Sequence, residues 1–118
     1  MQITFERPGS IGPGVLVVGV NEGGALAAYA VRADEAAGGA LQRAVTAAKF
    51  KGKAGQLLEV LAPAGLKASR VLLVGLGKGD AFDGGSAERL AAGVIGRLLT
   101  SGEERVSFAI DLPKGSKI

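Results

Sequence analysis

The sequence predicts an α/β domain with a mixed, largely parallel sheet, its elements running β-β-α-β-β-α-β. Three observations carry this. The apolar runs at residues 15–20 (VLVVGV) and 71–74 (VLLV) are continuous instead of alternating. Strands read that way when helices cover both faces of a parallel sheet. Segments of helical periodicity lie between the strands, which is the α/β arrangement. The chain is 47% hydrophobic and only 4% aromatic, so its core must be built from Val, Leu, Ile and Ala.

The elements follow in order. Residues 2–6 alternate, with Ile3 and Phe5 on one face, and predict a half-buried strand. Arg7-Pro8-Gly9-Ser10 stops it. Residues 15–20 form a second, more buried strand, closed by the turn residues Asn21-Glu22-Gly23-Gly24. Residues 25–32 carry no decisive pattern and stay unassigned. Asp34 can cap a helix reaching about Lys49, because its carboxylate can accept from the free N–H groups of a first turn. Ala37, Leu41, Ala44, Val45 and Ala48 then fall on one face. Gly38 and Gly39 interrupt that pattern, each at a cost of about 1 kcal/mol relative to Ala. Either they let the helix approach the sheet closely, or the helix begins after them.

Residues 50–55 (FKGKAG) make a basic glycine loop, and residues 56–61 a third strand ended by Ala62-Pro63-Ala64-Gly65. The fourth strand spans residues 70–76. Ser86 is expected to cap a second helix running to about Thr100, with Glu88 favoured near its positive N-terminus. Ala87, Leu90, Ala91, Val94, Ile95 and Leu98 supply its apolar face. Ser101-Gly102 ends it, and residues 105–112 form a fifth strand with Val106, Phe108 and Ile110 on one side. The domain is read as residues 1–112, with 113–118 as a polar tail or the start of a linker. Nothing after the fifth strand closes the fold, so a piece of a longer chain is expected.

Composition removes several chemistries. At 118 residues one domain can bury roughly two-thirds of its unfolded surface. There is no Cys, which excludes disulfides and thiolate nucleophiles, and no His, which removes the commonest general base and metal ligand. The formal charge of +3 comes from 14 basic against 11 acidic residues, too small an excess to indicate nucleic acid. No run approaches the ~20 apolar residues of a membrane span, so no membrane partner is expected. The N-terminus lacks a signal-peptide core, and a cytoplasmic setting is the expectation.

Two loops are candidate sites. Gly75, Gly77, Lys78 and Gly79 follow a buried strand and precede a helix, where ligands sit in many α/β proteins. Asp80 stands where a dinucleotide fingerprint needs its third glycine, and Gly79 stands where a phosphate loop needs Ser or Thr. A backbone anion nest is one reading of these residues. A tight turn leaving a buried strand is the preferred one. Phe50, Lys51, Gly52, Lys53 and Gly55 form the second loop. It could grip a phosphate, but one aromatic is too few for a stacking platform. A solvated loop with Phe50 in the core is preferred. Asp80, Asp83, Glu88, Glu103 and Glu104 are scattered, and Asp80 with Asp83 alone would make a poor cation site. Ser86 lacks a histidine base and suits helix capping.

Taken together, these stretches resemble the N-terminal domain of the leucyl (cytosol) aminopeptidases. The resemblance rests on Phe50-Lys51-Gly52-Lys53-Ala54-Gly55, a strand, then Ser69-Arg70-Val71-Leu72-Leu73-Val74-Gly75-Leu76-Gly77-Lys78, and a helix containing Glu88-Arg89-Leu90-Ala91-Ala92-Gly93. It covers roughly the whole chain, most clearly residues 39–99. It implies a macro-domain-like, three-layer α/β/α fold. It also implies a parent enzyme that is a cytoplasmic, usually hexameric exopeptidase releasing N-terminal residues, often leucine. The parent's two divalent metals (manganese or zinc) and its catalytic residues belong to a separate C-terminal domain, the partner of this one. No catalytic or metal-binding residue is therefore expected here. Lys53 and Lys78 match structural motifs of the N-terminal domain. A nucleotide or ADP-ribose-type binding module and a nucleic-acid-binding accessory domain are the alternatives.

Overall fold

A computed structural model of the chain describes residues 2–5, 14–99, 101–103 and 105–110. The strands are β1 (Gln2–Phe5), β2 (Val15–Asn21), β3 (Ala25–Leu26), β4 (Leu57–Leu61), β5 (Arg70–Gly77) and β6 (Arg105–Ala109). The helices are α1 (Ala28–Ala36), α2 (Ala40–Ala48) and α3 (Gly84–Leu98). The sheet runs in the order β1-β6-β2-β5-β4. β1, β6, β2 and β5 are mutually parallel neighbours, and β4 joins β5 antiparallel. β6 pairs with residues 15–18 of β2, and β3 pairs antiparallel with Val20 and Asn21 further along.

Strand alternation sorts the core into two halves. Leu16, Val18 and Val20 of β2 and Val71 and Leu73 of β5 meet Ala30 and Ala33 of α1 and Leu41 and Val45 of α2. Val15, Val17, Leu72, Val74 and Leu76, with Val106 and Phe108 of β6, meet Val94 and Leu98 of α3. The result is three layers, α/β/α. The central strands are buried on both faces, and their continuous apolar runs follow from that.

The structure corrects the predicted elements at three points. First, the unassigned stretch contains β3 and most of α1. Second, the single helix from Asp34 to Lys49 is two helices. α1 ends where Gly38 and Gly39 take positive φ, their N–H groups returning to the carbonyls of Glu35 and Asp34 at 3.2 and 2.9 Å. That paired closure ends many helices, and glycine enters it without strain. Asp34 does cap a helix, but the next one: its carboxylate accepts from the N–H groups of Leu41 and Gln42 at 2.8 and 3.0 Å. Third, α3 begins before Ser86. Asp83 is its N-cap, accepting from the Ser86 N–H at 2.9 Å. Glu6, the turn 7–10, Thr100, residues 111–112 and the tail 113–118 lie outside the described residues, as do the side chains of Ile3 and Phe5. Among the described residues no helix is long and apolar enough to cross a membrane.

Candidate functional site

The two glycine stretches, more than twenty residues apart in sequence, are one structure. α2 closes with Lys49 in the left-handed region (φ 54°) and with the Phe50 N–H on the Val45 carbonyl at 3.0 Å. This turns Phe50 inward, 7% exposed, onto the core beneath α2, while Lys51 and Lys53 face solvent. The chain then crosses the carboxyl ends of β2 and β5. The Lys51 carbonyl accepts from Gly23 at 2.8 Å, and the Gly52 carbonyl accepts from Gly77 at 2.9 Å. Gly75 donates to the Gln56 carbonyl at 2.7 Å, and Gly55 donates to the Gly75 carbonyl at 3.2 Å.

Contact this close admits no side chains. A Cβ on Gly75 would overlap the Lys53 carbonyl, and one on Gly52 would overlap the Asn21 carbonyl. A Cβ on Gly77 would lie 2.9 Å from that of Ala54. Both motifs are rich in glycine because each is the other's packing surface. The anion-nest reading meets this geometry directly. Gly75 and Gly77 belong to β5, are buried, and have given their N–H groups to carbonyls. Of the four residues, only Lys78 is exposed and Gly79 half-exposed, just past the strand. A pocket of about 60 Å³ remains between this seam and α3, lined by Gly55, Gly75, Leu76, Phe82, Ser86 and Arg89 among others. That is small beside the roughly 300–1,000 Å³ of a small-molecule site.

Charged groups gather at the opposite end of the parallel strands. Arg70, the first residue of β5, reaches Glu59 of β4 at 2.9 Å and Glu103, before β6, at 2.8 Å. The Ser69 hydroxyl donates to the second oxygen of Glu103 at 2.8 Å. Hydrogen bonding to Glu59 raises the guanidinium above its ordinary pKa; burial opposes this and Glu103 adds to it. The group stays charged at any working pH. The cluster ties an edge strand and the α3–β6 loop to the sheet's centre, and nothing about it marks a reacting group. Sequence reasoning took Arg70 only as a motif letter and missed this role. The signal would have been a charge opening an otherwise apolar strand.

The remaining acids do not converge. The Ser86 N–H, and then its hydroxyl, hold the Asp83 carboxyl below the usual carboxylate range. Asp34 and Asp83 serve helix N-termini, and Glu59 and Glu103 serve Arg70. Among the described residues no three of His, Cys, Asp and Glu come together as metal ligands. The described residues therefore do not fit a pair of divalent metals.

Comparison with known proteins identifies the family. The family model described as "Cytosol aminopeptidase family, N-terminal domain" matches residues 17–117. A probable cytosol aminopeptidase of Caulobacter vibrioides is 44% identical over 87 residues, covering 74% of this chain and 18% of that protein. One from Rhodopseudomonas palustris strain BisA53 is 39% identical over 115 residues, covering 98% of this chain and 23% of the relative. The chain thus spans about a fifth of the length of these relatives. Among solved structures, a tomato leucine aminopeptidase mutant superposes with a TM-score of 0.76 at 20% identity, over 98% of this chain and 24% of that one. The chain belongs to the cytosol aminopeptidase family, and the part of that family it represents is the N-terminal domain.

Proposed function

We propose that this chain is the non-catalytic N-terminal domain of a leucyl aminopeptidase, serving assembly and access to an active site carried elsewhere. In this reading residues 1–112 form the domain and 113–118 open a linker to a catalytic part. That part holds two divalent metals, manganese or zinc, and releases N-terminal residues, leucine foremost, from peptides. The parent enzyme is a cytoplasmic hexamer. The observation carrying the proposal is the pairing of full-length similarity with missing chemistry. Nearly the whole chain aligns to about a fifth of its relatives, yet it has no His or Cys, and among the described residues no three acids gather as metal ligands. A two-metal hydrolase needs several convergent ligands and an open metal face. The alternative of an ADP-ribose-type module would need the carboxyl ends of β2 and β5 open, and residues 51–55 lie across them.

The test is a chimera. This chain replaces the matching N-terminal segment of the Caulobacter relative, and leucine p-nitroanilide hydrolysis with added manganese is measured beside the isolated chain. The proposal expects an inactive chain and a chimera that assembles and turns over. Hydrolysis by the chain alone would end the non-catalytic reading. A chimera fully active as a monomer would end the assembly role.

A further inference from the structure

We draw no further inference here: the strongest candidate, the surface patch of Lys51, Lys53 and Lys78 where the glycine seam crosses the carboxyl ends of β2 and β5, carries none, because its lysines are solvated surface charges and nothing in the structure shows what partner would cover them.

Discussion

The two ends of the parallel strands are held by opposite means. At the carboxyl end the seam is backbone against backbone: Gly52, Gly75 and Gly77 let residues 51–56 lie directly on β2 and β5. At the amino end the tie is made by side chains, with Arg70 between Glu59 and Glu103. A glycine seam tolerates no added atom and is indifferent to salt. An ion cluster tolerates repacking and feels its solvent. The sequence motifs look alike at both ends, since Arg70 and Gly75 belong to one stretch, yet they answer to different physics.

The sharpest way to break the comparison is Gly75→Ala. The added methyl overlaps the Lys53 carbonyl, which belongs to backbone and cannot swing aside. A loss of about 2–4 kcal/mol is expected in urea unfolding. The same substitution at Gly93, on the exposed side of α3 with nothing within 4 Å, should instead stabilise by up to about 1 kcal/mol. Opposite signs from one chemical change would isolate the seam as the cause.

Arg70→Ala should cost about 1–3 kcal/mol, because two partly buried carboxylates lose a charged donor. Added salt should narrow the gap between this variant and the parent, while leaving the Gly75→Ala deficit unchanged. If both deficits shrink alike, the contrast between the two ends is wrong.

How much of this the sequence discloses depends on how local each signal is. The buried strands and the face of α3 are legible because their apolar spacing repeats within a few residues. α1 is not: in AYAVRADEA only Ala30 and Ala33 are buried, and Ala27 offers no capping side chain. Alanine suits either environment, so no stripe shows. The glycines at 38 and 39 were visible, but which of two helices Asp34 would cap depends on where the chain turns. The seam was least legible, since periodicity cannot show that FKGKAG covers the end of VLLVGLG. Each loop looked like a free glycine turn, and it was their pairing that filled the place where a ligand would sit.

Two smaller effects sharpen the picture at the carboxyl end. Lys49→Gly should stabilise by about 0.5–1 kcal/mol, since Lys49 holds a positive φ that glycine adopts freely. Thermal unfolding would show it. Asp83, the N-cap of α3, adds a pH-dependent contribution. Its folded pKa lies below the ordinary value, so its contribution is whole above about pH 4 and is lost as pH falls through the lowered value. Asp83→Asn keeps the capping oxygen without the charge. Its stability should therefore fall less steeply than the parent's on acidification.

Amide hydrogen exchange at Gly75 and Gly77 tests the central claim most directly. If the two motifs seal each other, both amides exchange as slowly as the core of β2 and β5. Their resonances should also stay in place when phosphate or ADP-ribose is added. Fast exchange at these glycines, with shifts that follow the added anion, would contradict the account and return the loop to a ligand.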